Sequence, residues 1–273
     1  MPVAKKIEQD FFQTIDDLSG PLREAIMLCG RYGTGKTSAM LSVAKYVEDS
    51  TAASFYVIDI EQKFRSALEA FGQDQPKNLR YRSVNDMNEA TAALDKALSL
   101  AKPGDWVGIE TMPRLWQGSQ DLAYMATEGV TKVEFLERKR QSRGEIKSPI
   151  PSPDLFWPIA NGSQYGAFLD LLAHRQDINI IATATTKEAQ TRKDRKESAE
   201  RKAIRAELGI DFDIEGAPRM LSYIETICQL VMVGGEATCY VLRDNLSTKD
   251  KTRVDFPVPD KKSFATMFFG ECR

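Results

Sequence analysis

Residues Gly30-Arg31-Tyr32-Gly33-Thr34-Gly35-Lys36-Thr37 carry the full pattern G-x-x-x-x-G-K-[ST]. Each residue type in it has a physical task. Glycine lets backbone N–H groups turn inward around a phosphate, where a side chain would block the approach. Lys36 supplies a point charge to the outer phosphates of a nucleoside triphosphate. The Thr37 hydroxyl is a ligand for Mg2+, and the N-terminus of a following helix adds a favourable dipole. The alternative is a glycine-rich turn with an incidental lysine, and the surrounding elements argue against it. Ala25 to Cys29 is a short apolar run stopped by glycine, and a helix is expected from Lys36 to about Val47.

Three carboxylates fall at expected strand ends, where open parallel sheets keep their ligands: Asp59, Glu61 and Glu110. Glu110 closes the apolar run Trp106 to Ile109, a place suited to a magnesium-directed carboxylate. Aspartate is the commoner residue there, and the longer glutamate arm suits a magnesium-bound water. Glu61 follows the strand Phe55 to Ile60, where a carboxylate can polarise the water that attacks a terminal phosphate. A structural role is expected for Asp59. For Glu61 and Glu110 the alternative is a solvated carboxylate at a helix start.

The elements that must hold these groups alternate. After the loop come a helix from Lys36, a strand at 55–60, a helix at 61–71, a strand at 79–82 and a helix capped near Asn85. A strand at 106–109, a helix from Gln164 to His174 and a strand at 178–184 complete the series. Such alternation predicts an α/β fold with a mostly parallel sheet flanked by helices. Two runs around Gly234-Gly235, Ile227 to Val233 and Thr238 to Arg243, predict a late antiparallel hairpin. The 273 residues are expected to form one domain, with a short N-terminal helix at 5–18 and long excursions at about 111–162 and 187–217.

The order of these motifs resembles the RecA-type ATPase core over residues 24–256. It is most similar to small phage-encoded RecA-like proteins, including the Sak-type recombination ATPases. The resemblance implies ATP and Mg2+ as cofactors, with Gly30 to Thr37 binding the nucleotide and Thr37 with Glu110 holding the metal. It implies Glu61 as the activating base, assisted by Lys36, and Thr185 as the sensor of the γ-phosphate. Lys251 and Arg253, beside Lys249 in STKDKTR, occupy the place from which such proteins reach the ATP of a neighbouring subunit. The implied partners are DNA, single-stranded above all, further copies of the chain in a filament or ring, and a single-strand binding or annealing protein. Host cytoplasm is the implied compartment.

Charge distribution bears on the DNA expectation. Net charge is −2, yet residues 187–205 hold eight Lys/Arg against four Asp/Glu, and residues 132–147 hold six against three. Two basic islands in an acidic chain suit a phosphate backbone, with Arg192, Lys193, Arg195 and Lys196 as the DNA-binding residues. Neither island is rich in aromatics, and a solvated helix of mixed charge fits them too. The four cysteines lack paired spacing and His174 is the only histidine, so a zinc site or disulfide framework is not expected. No apolar run is long enough to span a membrane, and the N-terminus lacks the apolar stretch of a signal peptide. Two other functions fit the same residues: a DNA-packaging or helicase-type motor, and a nucleotide-switched scaffold with little turnover. A small-molecule kinase fits less well, for want of an acceptor site.

Overall fold

The computed structural model describes residues 23–142, 150–188, 212–216, 218–244, 255–258 and 263–271. The expected helix at 5–18, the basic residues Arg192, Lys193, Arg195 and Lys196, and the cluster Lys249, Lys251 and Arg253 lie outside the described residues.

The strands are β1 (Ala25–Gly30), β2 (Phe55–Asp59), β3 (Leu79–Ser83), β4 (Trp106–Glu110), β5 (Asn179–Glu188), β6 (Phe212–Ile214), β7 (Thr226–Val233), β8 (Glu236–Asp244) and β9 (Asp255–Val258). They pair in the order β3-β2-β4-β5-β1-β7-β8-β9, with β6 beside β5. From β3 to β7 every neighbouring pair is parallel, and β6, β8 and β9 add antiparallel pairing. The fold is thus α/β, as the alternation of apolar runs predicts. β1 is buried throughout because it lies between β5 and β7 with helices over both faces.

The helices are α1 (Lys36–Ser50), α2 (Phe64–Phe71), α3 (Met87–Leu100), α4 (Met112–Glu128), α5 (Lys132–Gln141), α6 (Pro153–Pro158), α7 (Tyr165–His174) and α8 (Ser263–Glu271). Side-chain alternation along the strands splits the core in two. Ile26, Leu28, Phe55, Val57, Trp106 and Ile181 pack with residues of α1, α2 and α8. Met27, Cys29, Ile58, Val107, Ile109, Ala182 and Ala184 pack with α3, α4 and α7 on the other face. α8 docks on α1 through Phe264 and Phe268, and the Ala265 N–H donates to Ser42 Oγ at 3.1 Å.

Several boundaries differ from those expected. α2 begins at Phe64 and not at Glu61, because the Asp59 carboxylate accepts from the Phe64 N–H and holds residues 60–63 as a turn. β5 continues to Glu188 because β6 pairs with its last residues. The excursion after β4 opens with the 17-residue α4, whose Leu115 joins the core under α3 and α7. α5 carries a Thr131–Glu134 capping box and ends on Arg138, Lys139 and Arg140, where cations suit the helix dipole. Gly234 and Gly235 both have positive φ and form the two-residue turn between β7 and β8, as the hairpin prediction requires.

Candidate functional site

The loop between β1 and α1 is the centre of the site. Gly33 and Gly35 have φ of 81° and 87°, a region that side chains with a Cβ rarely adopt. At Gly30 a Cβ would come within 2.5 Å of Leu230 O and 2.6 Å of Thr34 Oγ1, so nothing larger fits between β1 and β7. The Thr34 hydroxyl donates to Arg31 O at 2.9 Å and closes the turn. Lys36 folds back over the loop, with Nζ donating to Gly30 O at 2.9 Å and Arg31 O at 2.8 Å. It is buried, and burial lowers its pKa against the pull of Glu110, Cys29 and Glu61. Thr37 follows in the first turn of α1, while Arg31 and Tyr32 are exposed at the tip.

Two of the strand-end carboxylates, Glu110 and Glu61, act on this lysine. Glu110 is 4% exposed and its Oε2 has no hydrogen-bond partner among the described residues. Burial pushes its pKa up to about 7; Thr183 and Lys36 pull it down, and Glu61 and Asp59 push it further up. Such a group holds back charge until a cation or donor arrives. Asp59, level with Glu110 in the β2–β4 ladder, is fully buried. Burial raises its pKa, while the backbone N–H groups of Phe64, Gln62, Lys63 and Glu61 lower it. Its structural role is therefore as expected: it organises the turn that carries Glu61.

Glu61 is nearly buried and faces two cations. Its Oε2 lies 3.2 Å from Lys63 Nζ and its Oε1 lies 3.8 Å from Arg114 Nε. Neither cation was singled out from the sequence. Lys63 reads there as a helix-start residue, and Arg114 lies 53 positions from Glu61, so only the docking of α4 beside the 60–63 turn reveals it.

Thr185 lies opposite Gly30 in the β1–β5 ladder and is buried, so it borders the loop although it is not at the end of its strand. Thr183 was missed. It lies one residue beyond the Ile109–Ala182 pair and therefore level with Glu110; its hydroxyl is buried and faces that carboxyl, whose pKa it pulls down. Alternation puts Thr183, Thr185, Asp59 and Glu110 on the face that carries α1. The signal was present in the run TATT, but its alignment with Glu110 needed the strand order.

Among the described residues no three His, Cys, Asp or Glu gather into a metal cage. Thr37 and the unpartnered Glu110 oxygen suit Mg2+ nonetheless, because that ion commonly takes one or two protein oxygens and completes its shell with phosphate and water. Among the described residues no helix is long and apolar enough to cross a membrane. Cys29, Cys228 and Cys239 are buried thiols. A groove of about 710 Å3 between β3 and α3 shares no residue with this loop.

Phe156 and Tyr165 are core residues, whereas Trp157 is 39% exposed and stacks on Trp116 at 6.2 Å. No known family matches the chain, and no curated protein matches it.

Proposed function

We propose that this chain is a RecA-like ATPase that binds ATP with Mg2+ at Gly30 to Thr37, hydrolyses it, and acts on DNA in recombination, repair or annealing. The observation that carries the reading is the convergence of Lys36, Glu110 and Glu61 at one loop. Gly33 and Gly35 supply the positive φ that the loop requires, and Lys36 Nζ lies against the loop carbonyls of Gly30 and Arg31.

In this reading the loop N–H groups and Lys36 hold the phosphates, and Lys36 exchanges its carbonyl partners for phosphate oxygens. Thr37 and Glu110 hold Mg2+, which offsets charge on the phosphates when bound. Glu61, at the rim, orients the attacking water and takes its proton. Thr185 and Thr183 are hydroxyls at the level of the terminal phosphate. DNA contact is assigned to the basic segment that includes Arg192, Lys193, Arg195 and Lys196, and further copies of the chain are the second proposed partner.

The deciding experiment measures ATP turnover with and without single-stranded DNA, alongside a sizing measurement with a non-hydrolysable analogue. DNA-stimulated turnover and analogue-dependent assembly are expected. Binding without turnover indicates the switched scaffold, and strand displacement or packaging the motor. Reversing the four charges at 192–196 is expected to reduce the salt slope of DNA binding, because fewer counterions are released. An unaltered slope assigns that segment to solvent.

A further inference from the structure

We propose that Lys63 supplies, within the same chain, the cation that stabilises the terminal phosphate, and that it is shared between that phosphate and Glu61 while Arg114 keeps Glu61 aimed. This deepens the ATPase reading and rests on it.

The Glu61 side chain is 8% exposed, and each of its oxygens has its own cation: Lys63 Nζ at 3.2 Å and Arg114 Nε at 3.8 Å. The cations come from different elements, Lys63 from the turn before α2 and Arg114 from the first turn of α4. Their surroundings differ. Arg114 is tethered along its helix, its Nη1 donating to Gln117 Oε1 at 3.1 Å. Lys63 instead leans toward the phosphate loop. Its Nζ lies 5.4 Å from the Tyr32 ring centroid, and Lys36 Nζ lies 5.9 Å from that same centroid. Gln62, between Glu61 and Lys63, has φ of 59° and donates through Nε2 to Asn85 Oδ1 at 2.7 Å, which pins the turn.

A carboxylate engaged by two cations is poorly placed to accept a proton from water. Lys63 is 64% exposed, so its pair with Glu61 is screened and worth little. A terminal phosphate carries more charge than a carboxylate and offers three oxygens. An ammonium poised between the two therefore moves toward the phosphate when a nucleoside triphosphate arrives. That movement frees one Glu61 oxygen as Lys63 meets the charge that builds up in the transition state. In the step itself, a water oxygen bonds to the γ-phosphorus and the bond from phosphorus to the bridging oxygen breaks. The bridging electron pair leaves with the diphosphate. The water proton passes to Glu61 and then to the released phosphate. Lys63 forms no covalent bond, and a diphosphate fails to displace it because the γ-oxygens are missing.

The test compares Lys63→Met, Lys63→Arg and Arg114→Met with the wild-type chain for ATP affinity, ADP affinity and turnover. A phosphoryl-transfer cation of this kind is worth about 10³–10⁵ in rate, so Lys63→Met is expected to lose about 10³-fold or more in kcat. It is also expected to lose most of any preference for ATP over ADP, with Lys63→Arg restoring both. Arg114→Met is expected to lower kcat with KM unchanged, since it acts through Glu61. Lys63→Met with wild-type turnover and an unchanged ATP-to-ADP affinity ratio overturns the inference and leaves the ATPase reading standing. So does loss of hydrolysis in Arg253→Ala that is recovered by mixing with Glu61→Gln, because the cation then comes from a neighbour. A wild-type chain that binds neither nucleotide overturns both.

Discussion

Asp59 and Glu110 stand opposite each other in the parallel β2–β4 ladder, both buried, each with one carboxylate oxygen that has no hydrogen-bond partner among the described residues. Their other oxygens have different tasks. Asp59 Oδ2 accepts from the Phe64 N–H at 3.1 Å and builds the turn that carries Glu61. Glu110 has no such backbone duty among the described residues. Two carboxylates at one level of one sheet thus divide into one that organises a turn and one whose Oε2 has no hydrogen-bond partner among the described residues.

Glu110 makes the protein's stability depend on pH. Its pKa is raised from 4.5 to about 7, chiefly by burial. The folded chain therefore holds this proton more tightly than the unfolded chain, and folding loses stability as pH rises from about 4.5 through about 7. Glu110→Gln removes the charge and keeps the shape. The variant is expected to be more stable than wild type by up to about 3 kcal/mol at pH 8, with the difference gone near pH 4. Urea denaturation of the nucleotide-free protein at several pH values measures it, and parallel pH curves for the two proteins contradict it.

Lys36→Ala is expected to weaken ATP binding by about 10- to 100-fold or more, the worth of a charge-assisted hydrogen bond lost at the phosphates. Stability is expected to hold or to rise slightly, since burial already works against this ammonium. Titration calorimetry with the folded variant reads the affinity, and urea denaturation reads the stability. Unchanged affinity places the nucleotide elsewhere.

Glu61→Gln keeps size and polarity and removes the base. It is expected to bind ATP and to turn it over about 10²–10⁴-fold more slowly. A single-turnover measurement separates this from a binding defect. A loss smaller than about tenfold moves the role of base to Asp59 or Glu110.

Asp59 acts on Glu61 through the backbone. Asp59→Ala deletes the acceptor for the Phe64 N–H, a cap-like bond whose loss typically costs about 0.5–2 kcal/mol. Asp59→Asn keeps an acceptor and is expected to cost less. Turnover should fall in the order wild type, Asn, Ala while ATP affinity changes little. Equal turnover in all three shows that the turn holds without this residue.

Much of this arrangement was legible in the sequence because it is local. Gly33, Gly35 and Lys36 act within one turn, and their types follow from backbone angles and reach. Short apolar runs ended by glycine or a carboxylate fixed β1, β2 and β4, since a strand buried on both faces must be apolar along its length. The Gly234-Gly235 turn was legible for the same reason. α4 was less so: it opens Met112-Pro113 and mixes polar with apolar residues, so its contribution to the core shows only once it is packed.

The sequence by itself determined the loop, the α/β class and the three carboxylates, because each rests on neighbours in the chain. Tertiary structure decided which of those carboxylates are free, and what faces them. Strand order set β5 between β1 and β4, which brought Thr183 level with Glu110. Docking of α4 set Arg114 against Glu61 across 53 residues. Asp59 became a structural group and Glu110 an unsatisfied one only through burial and the direction of the following turn. These outcomes depend on which distant segments share a face of the sheet. Residue spacing along the chain carries no record of that, since register and helix docking are set by the packing of the whole core.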